Sequence, residues 1–168
     1  MPESSLPGLL CYETLLAQET SDFDWPDLDE RTPCSMCYTS GTTGNPKGVL
    51  YHHRSTILHT YAQAMPDVFG VSASDCILPI VPMFHVNAWG SIYVGPMTGT
   101  KIVLPGAKMG DGETLQHLIE TEAITVSMGV PTVWLNLLAY LNESGKSVPT
   151  LKRLYVGGAA CPSSVITE

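Results

Sequence analysis

Residues 38 to 48 read Tyr38-Thr39-Ser40-Gly41-Thr42-Thr43-Gly44-Asn45-Pro46-Lys47-Gly48. Positions 39 to 44 hold four hydroxyl side chains and two glycines, and a lysine follows three residues later. Glycines let backbone N–H groups approach anionic oxygens, hydroxyls donate further bonds, and one ammonium offsets charge; together they describe a polyphosphate cradle. The common nucleotide loop needs Gly-Lys-Ser/Thr opening a helix. Here Lys47 precedes Gly48 and the strand-like Val49-Leu50-Tyr51 follows, so the loop joins two strands as a hairpin. A polar Gly/Ser/Thr turn without a ligand stands beside that reading at this point.

On either side of the loop, apolar runs of strand length lie at 34–39, 48–51, 76–81, 101–104, 124–128 and 151–156. Helical patterns occupy 55–65, 86–97, 113–122 and 131–142, with a short one at 12–18 and another beginning after Pro162. Asp111 is placed to cap the third of the four longer helices, Pro131 suits the first turn of the fourth, and Gly145 lies just past its end. Strands separated by helices of about ten residues imply crossover connections and a mostly parallel sheet. The expected class is α/β, incomplete at its C-terminal end because the chain stops a few residues into its last helix.

The chain has 168 residues, 8 Lys+Arg against 16 Asp+Glu, and a formal net charge of -8. Eight of the acids precede Arg31, whereas residues 34–168 carry 8 acids against 7 bases. The sequence therefore divides into an acidic connecting segment, 1–32, and a nearly neutral body. No cluster of Lys and Arg exists to neutralise phosphates, which excludes a nucleic-acid partner. Charged residues make up 14% of the chain, against roughly 25% in an average soluble domain. So few charges leave surface to be covered, as expected of a piece of a larger protein. No apolar stretch reaches the ~18 residues of a membrane span, and the start, MPESSLPGLL, lacks the basic flank of a signal peptide. The expectation is a soluble, cytoplasmic protein with no transmembrane segment. Cysteines at 11, 34, 37, 76 and 161 make a poor disulfide framework, and the Cys34/Cys37 pair lies in a strand-like run without a second ligand pair.

The loop string resembles the signature of the adenylate-forming (AMP-binding) superfamily, which includes acyl-CoA synthetases, aryl-CoA ligases, luciferases and the adenylation domains of peptide synthetases. Two later segments fit in the expected order. Pro82-Met83-Phe84-His85-Val86-Asn87-Ala88-Trp89 is similar to the segment entering the acyl pocket, and Tyr155-Val156-Gly157-Gly158-Ala159-Ala160 to the loop beside the adenine and the reacting carboxylate. The His-Val-Asn-Ala-Trp order looks most like medium- or long-chain fatty acyl-CoA synthetases. On this resemblance 33–168 is part of the large N-terminal AMP-binding domain, a mostly parallel sheet with crossover helices expected to be incomplete at both ends and without the C-terminal lid. The activity implied is ATP-dependent activation of a fatty acid to an acyl-adenylate, followed by thioester formation with coenzyme A.

The resemblance also assigns residues. ATP is expected on Thr39, Ser40, Gly41, Thr42, Thr43, Gly44 and Lys47 and on Gly158 and Ala159, with Thr39 also ligating Mg²⁺ and the catalytic Lys47 offsetting the charge of the leaving pyrophosphate. His85 orients the reacting carboxylate; Trp89, Val130 and Gly157 line the acyl side. The residues alone allow plainer readings: a histidine at a helix start, a core tryptophan, a core valine and an ordinary Gly-Gly turn. On a helix over 86–97, His85 would stand at the N-terminus, which favours an anion, and Trp89 would share its face. No carboxylate follows His85 before Asp111, which disfavours amino-acid substrates and favours an uncharged acyl tail; aryl acids stay open.

The family's Thr-Glu and Thr-Gly-Asp motifs and its lid lysine would lie beyond Glu168, so the isolated chain is expected to be inactive. The implied partners are a carboxylate, ATP and coenzyme A, with a homodimer as the assembly of the full-length enzyme. The alternative is a stand-alone nucleotide- or phosphate-binding module without ligase activity.

Overall fold

A computed structural model describes residues 7–40 and 44–167, except the side chains at 164 and 167. A short helix α1 (Tyr12–Leu16) lies in the acidic segment and buries none of its side chains. Strands β1 (Pro33–Thr39) and β2 (Lys47–His52) pair antiparallel and form a two-stranded sheet of their own. The hairpin reading of the loop is thereby met, and Thr39 and Lys47 are direct cross-strand partners at its mouth.

Helix α2 (His53–Ala64) follows β2 without a gap. His52 caps it, with Nδ1 accepting from the Ser55 amide at 3.0 Å and the His52 amide donating back to Ser55 Oγ at 3.2 Å. That reciprocal pair satisfies backbone groups the first turn would otherwise leave unbonded.

The main sheet is parallel, in the order β4 (Lys101–Ile102), β3 (Cys76–Ile80), β5 (Val126–Gly129), β6 (Arg153–Val156). β3 is buried at every position, as a central strand covered on both faces must be. Its period-2 alternation sends Cys76, Leu78 and Ile80 to one core, with Leu115, Ile119, Trp134 and Leu137. Ile77 goes to the other, with Val71, Val94, Val126 and Met128. The first core is closed by α5 (Gly112–Thr121) and α6 (Pro131–Ser144), and the second by the segment holding α4 (Ser91–Thr98). Asp111 caps α5 through the Thr114 amide at 2.9 Å, Pro131 opens α6, and Gly145 ends it at φ 68, as the sequence predicted. A last helix, α7 (Ser163–Thr167), follows Pro162.

One predicted element differs. The helix expected over 86–97 is interrupted: the turn α3 (Val86–Trp89) has positive φ throughout, at 49, 51, 51 and 54°, and Gly90 continues it at 78° before α4 begins. Left-handed backbone costs about 1–2 kcal/mol per residue outside glycine, and a β-branched residue such as Val86 is least at ease there. One long-range and one local contact hold it. The Gln63 side-chain amide of α2 donates to the Trp89 carbonyl, and Ser91 Oγ, just past the turn, donates to the Ala88 carbonyl at 2.8 Å. At Gly90 a Cβ would stand 2.7 Å from His59 Nδ1, so glycine is required both by φ and by the close approach of α2.

At the amino ends of the parallel strands, Asp75, Thr125 and Arg153 form a polar cluster. Arg153 Nη2 meets Asp75 Oδ1 at 2.5 Å, Thr125 Oγ1 donates to the same oxygen at 2.9 Å, and the Ser72 amide donates to Oδ2 at 3.0 Å. Arg153 Nη1 donates to the Phe69 and Gly70 carbonyls, both at 2.9 Å. Burial pushes the Asp75 carboxyl up, but the Arg153 guanidinium, the Thr125 hydroxyl and the Ser72 amide outweigh it and hold it below its ordinary value. The cluster joins β3, β5 and β6 at the end of the sheet away from the predicted site residues.

Candidate active site at the carboxyl edge of the sheet

The register places Ile80 of β3 beside Gly129 of β5, and Gly129 beside Val156 of β6. The three following segments, 81–85, Val130 and Gly157-Gly158, therefore leave the sheet side by side. That is the edge where open parallel sheets collect ligands. The segments surround a cavity of about 410 Å³ whose lining includes Pro82, Phe84, His85, Trp89, Val130 and Gly158. Its size lies in the usual range for small-molecule sites, and its walls are largely apolar. His85 is the one titratable side chain among the described lining residues.

His85 and Trp89 thus line one cavity, though not for the reason the sequence suggested. Because α3 is left-handed, His85 stands at the entry of a strained turn rather than at the N-terminus of an α-helix, and the shared-face argument based on right-handed spacing does not apply. The long-range packing of the turn brings them together. Gly157 lies beneath the Trp89 indole: a Cβ at 157 would meet Cη2 at 2.8 Å. Gly158, at φ 80, faces Val130 Cγ1 in the same way, at 3.1 Å from a built Cβ. The glycine pair is therefore required by the cavity walls. Ala159 follows and is exposed.

The phosphate-loop residues lie on the hairpin. Thr39, Ser40, Gly44 and Lys47 are exposed, with Thr39 and Lys47 opposite each other; Gly41, Thr42 and Thr43 lie outside the described residues. Asn87, between the cavity residues His85 and Trp89 in the chain, ties the turn to the hairpin: its Nδ2 donates to Ser35 Oγ at 3.1 Å. Neither Asn87 nor Gln63 was singled out by the sequence. Asn87 and Gly90 are the residue types that tolerate positive φ best, and their spacing is the one local signal for the turn. A separate cavity of about 350 Å³ between α6 and β6, lined by Trp134, Leu137, Leu141 and Leu151, includes none of these loops. Among the described residues no cluster of His, Cys, Asp or Glu is arranged to hold a metal ion, the five cysteines are free thiols, and no helix is long and apolar enough to cross a membrane.

Residues 5–168 match the family described as AMP-binding enzyme. The chain belongs to that family. It is 53% identical over 165 residues to a medium-chain-fatty-acid–CoA ligase of Ectopseudomonas oleovorans, covering 98% of this chain and 30% of that protein. It is likewise 53% identical over 161 residues to a 3-methylmercaptopropionyl-CoA ligase of Ruegeria lacuscaerulensis, covering 96% and 30%. Among solved structures, the inhibitor-bound N-terminal domain of FACL13 from Mycobacterium tuberculosis superposes with a TM-score of 0.77 at 26% identity, covering 92% of this chain and 38% of that one. This AMP-binding chain thus spans about 30% of the length of the curated relatives it matches.

Proposed function

We propose that the protein carrying this AMP-binding segment is an acid–thiol ligase that activates an uncharged carboxylic acid with ATP and passes the acyl group to coenzyme A. The observation that carries the reading is the junction of two parts: a hairpin whose mouth pairs a hydroxyl with an ammonium, and an apolar cavity with His85 in its wall. The two relatives support it, since both are CoA ligases of acids with an uncharged tail.

In the first half-reaction a carboxylate oxygen attacks the α-phosphorus of ATP, the bond between the α-phosphorus and the bridging oxygen breaks, and pyrophosphate leaves. Negative charge builds on the leaving group, and preorganised donors that meet it there lower the barrier. Lys47 supplies the positive charge, with Ser40 and the glycine and threonine positions 41–44 supplying amides and hydroxyls. Thr39 fits a magnesium ion as an exposed hydroxyl across from Lys47, and the ion when bound would offset phosphate charge. His85 holds the carboxylate, Trp89, Val130 and Gly157 contain its tail, and Gly158 and Ala159 lie against the adenine. In the second half-reaction the sulfur of coenzyme A attacks the acyl carbonyl, the bond to the adenylate oxygen breaks, and AMP leaves. The apolar lining favours a fatty acyl tail.

The test is pyrophosphate release by the complete polypeptide with ATP, Mg²⁺, coenzyme A and a graded set of carboxylic acids, with the thioester identified by mass. Acid-dependent release with thioester formation is the expected result. ATP binding without release for any acid would favour the nucleotide-binding module instead.

Trp89→Ala is expected to lower kcat/KM for the preferred acid about tenfold and to shift the optimum chain length, while KM for ATP stays within about twofold. A chain-length series against an ATP titration checks this. A large rise in KM for ATP with an unchanged acyl profile would show that Trp89 does not bound the acyl site.

A further inference from the structure

The β1–β2 hairpin is not hydrogen-bonded into the parallel sheet. Apart from the direct continuation of β2 into α2, its placement against the turn 86–89 therefore rests on side-chain and loop contacts. On one side it is tied to α2, through the His53 amide to the Thr32 carbonyl at 3.2 Å and through Cys34 Sγ to Thr56 Oγ1 at 3.4 Å. On the side of the cavity, the tie is Asn87. Its Nδ2 donates to Ser35 Oγ at 3.1 Å, and its Oδ1 accepts from Cys37 Sγ at 3.8 Å.

Ser35 and Cys37 are alternate residues of β1 and so lie on one face, and the next residue on that face is Thr39. Asn87 occupies the second position of the left-handed turn, at φ 51 and ψ 50, with His85 two residues before it and Trp89 two residues after. One side-chain amide therefore grips the strand that ends in the phosphate loop, while its own backbone lies between two residues lining the acyl cavity. Gln63 holds the turn to α2, which continues directly from the hairpin, and Ser91 closes it locally, so Asn87 is the side chain of the turn that bonds to β1 itself.

We propose that Asn87 is a positioning residue for adenylate formation: it sets the hairpin bearing Thr39 and Lys47 against the turn bearing His85 and Trp89, aligning the two reacting groups. The proposal rests on the ligase reading above. Alignment of bound reactants is where small displacements are most expensive, with roughly a hundredfold loss for a misplacement near 1 Å. Thioester transfer from a finished adenylate no longer needs the polyphosphate aligned and is insensitive to the link.

The test uses the complete enzyme with Asn87→Gly, which keeps the positive φ accessible, together with Ser35→Ala and the double variant. Pyrophosphate release gives kcat and both KM values, and thioester formation from preformed acyl-adenylate is measured separately. Asn87→Gly is expected to lower kcat for adenylate formation roughly ten- to a hundredfold, with KM for ATP and acid and the thioester rate within about threefold. Ser35→Ala, which spares the Cys37 contact, should give a smaller fall in the same rate. The double variant should be no worse than Asn87→Gly, because both changes break one link. Additive losses, an equal loss in both half-reactions, or an unchanged kcat would overturn the proposal. If Asn87→Gly does not fold, judged by circular dichroism, Ser35→Ala alone decides: an unaltered adenylation kcat overturns it. A wild-type enzyme without acid-dependent pyrophosphate release would instead overturn the ligase reading, and this proposal with it.

Discussion

Lys47→Ala in the complete enzyme is expected to slow adenylate formation about 10²- to 10³-fold, the loss typical of removing one preorganised charge or donor from a developing anion. Lys47 begins β2 directly opposite Thr39, so its ammonium flanks the mouth of the loop instead of lying within it. The leaving pyrophosphate exists only in the first half-reaction. Thioester formation from preformed acyl-adenylate should therefore fall much less. Stopped-flow or quench measurements of the two half-reactions separate the cases, and an equal loss in both would remove Lys47 from its assigned role. Lys47→Arg is expected to recover part of the rate, since it restores the charge with a different reach.

Asp75→Ala is expected to destabilise the fold by about 2–4 kcal/mol, because it leaves the Arg153 guanidinium, the Thr125 hydroxyl and the Ser72 amide without their shared acceptor. This lies below the about 3–5 kcal/mol that applies to fully buried pairs, as Arg153 keeps about a third of its side chain in water. The pH dependence has a definite sign. Asp75 is held below its ordinary value of 3.8, so the native state favours the ionised form and the stabilisation is fully present above that value. It is lost as the pH falls from 3.8 through the lower folded-state value. Denaturant titrations at pH 7 and at acid pH should thus show the gap between wild type and Asp75→Ala narrowing on acidification. A gap independent of pH would show that the carboxylate charge is not what the cluster uses.

The positions of the strands and most helices could be read from the chain because their signals are local. Runs of apolar residues, the capping Asp111, the opening Pro131 and the closing Gly145 act within one or two turns of backbone, and each lies where it was expected. The same holds for the phosphate hairpin, whose glycines and hydroxyls are contiguous. The left-handed turn was not legible in this way. Val86 and Trp89 have no preference for positive φ, and a helical pattern over 86–97 is the better local solution. What tips the balance is the arrival of Gln63 and His59 from α2, residues remote in sequence that become neighbours only once the sheet is formed.

By itself the sequence determined the α/β alternation, the family and the β1–β2 hairpin, because each is encoded in contiguous residues whose physics is local. Tertiary structure alone decided that His85, Trp89, Val130 and Gly158 share one cavity, and that Asn87 joins it to the hairpin. Those relations depend on parallel register and on a strained turn, and both are set by contacts between segments tens of residues apart, which no single stretch of chain can specify.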